Sequence, residues 1–199
     1  MYSNFVFIIP SYNNYEWYKY NIESMHKQKY NNWRAIYIDD YSTDNTFSLV
    51  KEYTKKLNIS SKFTYIQNPR KLGPAGSRYQ GYMKTYDREI CCFLDGDDWL
   101  LGDEVLGILN SIYNQGYNCT YGSYINVAKP DTKFPANDFK ENTHSKKSYR
   151  EYCKGPNIAC HLRTMRASLI KDININKYLK IDSQWIQVCT DLAEMCYVL

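Results

Sequence analysis

From its first residues this chain alternates short apolar runs with amphipathic stretches. "NFVFIIP" (4–10) is continuous, β-branched and aromatic, and predicts a buried strand ended by Pro10. Trp17, Tyr20, Ile22, Ser24 and Met25 mark the apolar face of a helix beginning near Asn14. "WRAIYIDD" (33–40) predicts a second strand, and the following "YSTDNT" carries helix-start residues in Ser42, Thr43 and Asp44. Phe47, Leu49, Val50, Tyr53 and Leu57 then share one helical face. "KFTYIQN" (62–68) predicts a third strand, and "PRKLGPAGSRYQGY" a Gly/Pro loop with Pro74 suited to a first helical turn. "EICCFLD" (89–95) predicts a fourth strand. "GDEVLGILNSIYNQG" (102–116) predicts a helix opened by Asp103 and Glu104 and stopped by Gly116. "YNCTYGSYINV" (117–127) predicts a fifth strand.

This alternation predicts an α/β fold of βαβ units, with a mostly parallel central sheet flanked by helices. There are no internal repeats. From about 128 to 158 the pattern gives way to Pro, Lys, Asn and Asp, which reads as a loop-rich insertion. "ACHLRTMRASLI" (159–170) predicts a strand entering a short helix. "IDSQWIQVCTDLAEMCYVL" (181–199) predicts a final helix capped by Asp182 or Ser183. That stretch stays apolar to Leu199 with no C-cap, so we expect a domain excised from a longer polypeptide.

Composition narrows the function classes. The chain has 199 residues, enough for one domain with a real core, and 44% hydrophobic residues, which is not a disordered composition. Mean hydropathy is -0.61, and no apolar run approaches the roughly 20 residues of a membrane span. The "FVFIIP" run lacks a basic segment before it, so no signal peptide is expected. A formal net charge of +4 is too weak to point to nucleic acid, and "HSKKSYR" (144–150) reads as a solvated loop. Seven cysteines, odd in number and without a CxxC pair, suit a reduced, cytoplasmic protein, with Cys91 and Cys92 in the core.

Candidate chemistry lies where the strands end. "PSYNN" (10–14), "DDYSTD" (39–44) and "DGDD" (95–98) each follow a predicted strand. In open α/β sheets, ligands gather outside the carboxyl ends of the strands. Were the three strands neighbours, Asp39, Asp40, Asp95, Asp97 and Asp98 would line one crevice. Crowded carboxylates raise one another's pKa and call for a cation. Carboxylate oxygens suit Mg²⁺ or Mn²⁺, and a cation held by few carboxylates completes its shell with substrate phosphates. An EF-hand is disfavoured, because the sixth position from Asp95 is Leu100 where glycine is required. Arg70, Lys71 and Arg78 could supply counter-charge to a diphosphate. "GPAGSRYQG" (73–81) is neither a Walker A motif nor GxGxxG.

In order, "FIIPSYNN", "IYIDDYSTDNT", "NPRKLGPAGSRYQGY" and "CCFLDGDDW" resemble the motifs of family 2 glycosyltransferases with the GT-A (Rossmann-like) fold. The resemblance is close over about 4–110 and looser beyond. It implies a single GT-A domain over 1–199, with a nucleotide-sugar half (1–110) and an acceptor half (111–199). It also implies a metal-dependent, inverting enzyme that moves a sugar from a nucleotide-diphosphate sugar, UDP favoured, to a hydroxyl on a glycan or glycoprotein. Pro10 and Tyr12 would sit beside the nucleobase. Asp40 would take the uracil N3–H, with Asp39 near the base or ribose, and Arg78 is the family's loop-helix arginine. In the Asp-x-Asp motif formed by Asp95, Gly96 and Asp97, Asp95 would meet the ribose and Asp97 would bind Mn²⁺ (or Mg²⁺). Asp98 would be a further ligand or support one, and His161 a late metal ligand or phosphate contact. The general base would be Asp191, with Glu194 one turn later and Asp182 as the fallback.

Two departures stand out: Tyr41 replaces the family's glycine after the second-strand Asp pair, and Tyr79 replaces its asparagine after the loop arginine. Two other readings remain at this stage. A sugar nucleotidyltransferase would need a glycine-rich loop with lysine after the first strand, and "PSYNNYEW" has no glycine. A binding module that keeps the nucleotide pocket without catalysis is the other.

Overall fold

The computed structural model describes residues 2–127, 133–134 and 161–187. Their elements are, in order, β1 (Asn4–Ser11), α1 (Tyr18–His26), β2 (Trp33–Asp39), α2 (Thr46–Lys56), β3 (Phe63–Gln67), α3 (Gly73–Tyr82), β4 (Glu89–Phe93) and α4 (Val105–Asn114). There follow β5 (Cys119–Thr120), β6 (Tyr124–Ile125), β7 (Lys133–Phe134), β8 (Arg163–Arg166), α5 (Ala167–Ile170), α6 (Ile175–Tyr178), β9 (Lys180–Ile181) and β10 (Gln184–Trp185). The central sheet has the order β3-β2-β1-β4-β8-β5. β3, β2, β1 and β4 run parallel, while β8 is antiparallel to both β4 and β5. The predicted mostly parallel sheet is therefore present.

Both faces of that sheet are covered, which is why β1 is buried almost throughout rather than alternately. Phe5, Phe7, Ile9, Ala35, Tyr37 and Cys92 face one core with Ile22 and Met25 of α1, Val50 of α2 and Leu106 and Leu109 of α4. Val6, Ile8, Ile36, Ile38, Cys91 and Phe93 face the other, with Ala75 and Tyr82 of α3 and with Met165, Ala167 and Ile170. The period-2 alternation of strand side chains assigns each residue to its core. α3 reaches its strands through Gly81. A Cβ there would come within 2.6 Å of Ile8 Cγ2, so only glycine lets the helix backbone lie this close to β1.

The structure revises several expectations. β1 runs one residue past Pro10. Pro10 is tolerated in a central strand because its ring nitrogen faces β4, whose pairing with β1 stops at Ile8–Phe93. α1 begins at Tyr18, four residues after Asn14, whose carbonyl accepts bonds from the amides of Trp17 and Tyr18. Its buried side is Tyr18, Asn21, Ile22, Ser24 and Met25, so Trp17 and Tyr20 point outward, against the predicted face. The expected fifth strand over 117–127 is only the two-residue β5, and β6 leaves the sheet to pair with β7. "ACHLRTMRASLI" does supply a strand entering a short helix, β8 into α5. Over 181–187 the expected helix is absent. β9 and β10 form a hairpin instead, with Asp182 and Ser183 at its turn at φ 48° and 64°. Positive φ at consecutive residues suits a tight hairpin turn and not a helix cap. The insertion expected over 128–158, β7 apart, lies outside the described residues, as do Asp191 and Glu194.

A bidentate ion pair ties β2 to β4 beneath this scaffold. Arg34 Nε and Nη2 donate to Glu89 at 2.7 and 2.8 Å, and the Tyr86 amide donates to the same carboxylate at 2.7 Å. The side chains are only 26% and 6% exposed. Replacing Glu89 with alanine leaves a largely buried guanidinium with the Lys84 carbonyl but no carboxylate, and takes the acceptor from the Tyr86 amide. We expect Glu89→Ala to lose about 2 kcal/mol in urea unfolding. A loss below about 0.5 kcal/mol, the range of ordinary surface changes, would show that the pair does not secure the sheet.

Candidate active site

The parallel register brings the strand ends together. Ser11 pairs with Asp39, and Asp39 with Gln67, so the segments after β1, β2 and β3 leave the sheet side by side. Hydrogen bonds then stitch those segments. The Asn13 amide donates to Ser42 Oγ at 3.0 Å, and the Thr43 amide donates to Asn13 Oδ1 at 2.9 Å. From β4, the Gly96 amide donates to the Pro10 carbonyl at 2.9 Å. A Cβ on Gly96 would lie 2.5 Å from Asn14 Nδ2 and 2.8 Å from Ser11 Oγ, so the glycine of the acidic loop is what lets that loop close on β1. Asn21 of α1 fixes its other side, donating from Nδ2 to the carbonyls of Asp95 at 3.0 Å and Asp98 at 2.8 Å.

The second-strand carboxylates are buried and take part in the fold. Asp40 Oδ1 accepts from Asn68 Nδ2 and the Leu72 amide, and Oδ2 from the Gly73 amide, all at 2.8 Å. It thereby caps the start of α3, where free amides and the helix dipole favour negative charge. Asp39 is fully buried, and its Oδ2 accepts weakly from the Ser42 amide at 3.2 Å and Gln67 Nε2 at 3.3 Å. Its Oδ1 has no partner among the described residues. The resemblance gives the uracil contact to Asp40, yet the oxygen of this pair left without a bond belongs to Asp39. Tyr12 is 38% exposed, and the Lys71 ammonium lies 3.4 Å above its ring centroid, a cation–π contact.

Arg78 faces Asp95 across the crevice. Its Nη2 donates to both carboxylate oxygens, at 2.7 and 2.9 Å, and its side chain is 3% exposed. Burial opposes ionisation of Asp95, but Arg78, with His161 and Arg163, outweighs it and holds the carboxyl below its usual range. Asp98 goes the other way. Desolvation by the surrounding loop, then the like charges of Asp95 and Asp97, push it up to about 7, although its side chain remains 48% exposed.

One ligand atom each from Asp95, Asp98 and His161 lie within 4.8 Å of one another. His161 Nδ1 is 3.7 Å from Asp98 Oδ2. Two hard carboxylates and an imidazole make a donor set suited to Mn²⁺. Asp97, the ligand implied by the motif, is exposed and stands outside this group. His161 arrives because β8 runs antiparallel to β4, so the residues just before it reach the edge where the parallel strands end.

Arg163 went unnoticed in the sequence. It is 1% exposed, lies opposite Phe93 on β4, and its charge favours ionisation of both Asp95 and Asp98. The available signal was alternation: in "RTMR", Arg163 shares a strand face with Met165, a core position. Asn21 and Asn68 were also missed, since single asparagines carry no spacing signature.

Comparison with known proteins agrees with this geometry. The family model described as glycosyl transferase family 2 matches residues 6–173. The Escherichia coli UDP-Glc:alpha-D-GlcNAc-diphosphoundecaprenol beta-1,3-glucosyltransferase WfgD is 27% identical over 187 residues, covering 92% of this chain and 69% of its own length. Staphylococcus aureus TarS, solved with UDP-GlcNAc, superposes with a TM-score of 0.64 at 20% identity, covering 97% of this chain and 54% of that one. A mannosyltransferase from Pyrobaculum calidifontis, solved with GDP-Man and Mn²⁺, gives 0.58 at 16% identity, over 86% and 47%. This chain thus spans about half the length of the solved chains it matches. With a glycosyltransferase model matched over most of its length and a GT-A architecture beneath the acidic crevice, the chain belongs to glycosyl transferase family 2.

Proposed function

We propose that this domain transfers a sugar from a nucleoside-diphosphate sugar, with UDP as the favoured nucleotide, to a hydroxyl of a glycan or glycoprotein acceptor, with inversion and with a divalent cation. The observation that carries this reading is the meeting of Asp95, Asp98 and His161 beside Arg78 where the parallel strands end. Tyr12 and Pro10 border the base, with the Asp39–Asp40 pair beneath it. Asp95 serves the ribose side as well as the cation. Asp95, Asp98 and His161 would hold the cation, with Asp97 as a further oxygen donor from the solvent side. When bound, the cation neutralises charge building on the leaving diphosphate.

The chain's own residues do the rest. Arg78, held by Asp95, and Lys71, above Tyr12, add positive charge on the diphosphate side. Asp191 takes the proton from the acceptor hydroxyl as its oxygen attacks the sugar C1. The C1–O bond to the diphosphate breaks, and its electron pair leaves on the phosphate oxygen. A single displacement inverts C1. The Escherichia coli relative and the UDP-GlcNAc complex of TarS favour UDP among the nucleotides.

Calorimetric titration with UDP, GDP and dTDP, each with Mn²⁺ and with EDTA, tests the donor class. We expect binding of UDP alone that disappears in EDTA and in Asp95→Asn. No nucleotide binding under any condition would remove the proposal.

The ligand set is tested separately. His161→Ala should weaken Mn²⁺-dependent UDP binding by roughly tenfold or more, since even indirect support of a ligand is worth that much. Asp97→Asn should do less. The reverse order would return the principal ligand to Asp97.

For the base, Asp191→Asn should lower kcat about 100-fold or more while UDP affinity holds. Unchanged turnover would exclude Asp191. Intact UDP binding with no transfer to any acceptor hydroxyl would instead leave a nucleotide-sugar-binding module.

A further inference from the structure

The outward turn of Trp17 and Tyr20 has left three aromatic rings together on the surface beside the acidic loop. Tyr20 is 56% exposed and Trp17 38% exposed. Trp99, immediately after Asp98, is half-buried between the loop and α1. Its ring centroid lies 6.1 Å from that of Trp17 and 5.2 Å from that of Tyr20, with interplanar angles of 20° and 30°. The Trp17 and Tyr20 centroids are themselves 6.3 Å apart. Trp99 is therefore not sandwiched, because two rings on its opposite faces would be much further from each other. Trp17 and Tyr20 are instead each offset-stacked on Trp99, in one aromatic cluster whose outer rings face solvent. Adjoining aromatic rings left partly exposed are a candidate interaction surface.

A cavity of about 340 Å³ opens against this surface, at the small end of the roughly 300–1,000 Å³ seen for small-molecule sites. Tyr20, Trp99 and Leu100 give it apolar walls, and Glu23, Lys27 and Asp103 give it a charged rim. The rim is balanced. Lys27 Nζ lies 2.9 Å from Glu23 Oε2, and Asp103 pairs with Lys29 at 3.3 Å. An anionic ligand would meet two carboxylates there, and a lipid tail would desolvate all of these charges at a cost of several kcal/mol. A neutral polyol fits both features: ring C–H groups lie flat on aromatic faces, and equatorial hydroxyls reach acceptors and donors at the edge. We propose that the Trp17–Tyr20–Trp99 platform and its cavity bind a neutral sugar ring of a glycan, outside the nucleotide–metal crevice. Asn21, next to Tyr20, bonds the carbonyls of Asp95 and Asp98, so a glycan held here is anchored to the loop that forms the crevice.

The test uses the full chain in EDTA without nucleotide, so that it stands apart from the donor proposal. Tri-N-acetylchitotriose and cellotriose, whose equatorial linkages leave flat C–H faces, serve as probes in saturation-transfer NMR. We expect saturable transfer to ring protons with a Kd of roughly 1 mM. Tyr20→Ala and Trp99→Leu should each weaken it about fivefold or more, and Tyr20→Phe should retain it. Circular dichroism and thermal unfolding of the same variants report that they fold. No transfer to either probe, or transfer that survives both ring deletions, overturns the proposal. So does binding to phosphatidylcholine vesicles that the deletions abolish while neither sugar responds, which would give the platform to a membrane surface. Sugar binding without any nucleotide binding would leave this site standing and remove only the donor reading.

Discussion

The arrangement of the site rests on one constraint, the crowding of carboxylates where the parallel strands end. Five of them arrive there because β1, β2 and β4 are neighbours and each strand is followed by an acidic or polar segment. The protein resolves the crowding unequally. Asp40 is neutralised by peptide amides at the start of α3, and Asp95 by the Arg78 guanidinium. Asp98 gets less of this relief: burial, and then the like charges of Asp95 and Asp97, push its pKa up. A cation beside Asp98 and His161 would supply the counter-charge that this carboxyl lacks.

α3 does several jobs at once, and its position explains why. Its start is held by Asp40, its middle carries Arg78 to Asp95, and its end lies on β1 through Gly81. A shift of this helix would alter the cap, the counter-charge and the packing together. The Asn68 side chain adds a further tie, donating to Asp40 Oδ1 and to Ser77 Oγ, so the segment after β3 is fixed to the same helix. In the proposed transfer, Arg78 held in this way would meet developing charge with little reorganisation, which is the condition for strong electrostatic stabilisation.

Much of this was legible in the sequence. Strand–helix alternation predicted the sheet, and the acidic strand ends predicted which carboxylates meet at one edge of it, because both follow from local patterning. What failed was non-local. Trp17 and Tyr20 read as core because they are large and apolar, but with Tyr18, Ile22 and Met25 already facing the sheet, α1 had no buried side left for them. The 181–187 stretch read as helix by composition, although Asp182 and Ser183 adopt the left-handed turn of a hairpin. Tyr41 is instructive in the other direction. The family's glycine is replaced here, and the residue still adopts φ 66°, a conformation that costs a non-glycine residue about 1 kcal/mol. Tyr41 thus holds a left-handed conformation without being the residue best suited to it, with neighbouring bonds such as the Ser42 amide to Asp39 supporting the turn.

The one antiparallel partner of β4 has the largest consequence for chemistry. Parallel strands joined by helices deliver only residues that follow a strand to the ligand-binding edge. A purely parallel sheet would therefore supply the acidic loops, Arg78 and the α3 amides, but neither the imidazole nor the second buried guanidinium. β8 enters the sheet in the opposite sense, so the residues before it, and its own first residue, arrive at that edge. These are His161, with a nitrogen for the cluster, and Arg163, with a buried positive charge that acts on both Asp95 and Asp98. Both come from the second half of the chain, about 65 residues after the acidic loop, and neither could be paired with it by spacing. The site is completed by strand direction: reversing β8 would carry Arg166 to this edge in place of His161 and Arg163, leaving the carboxylates without an imidazole.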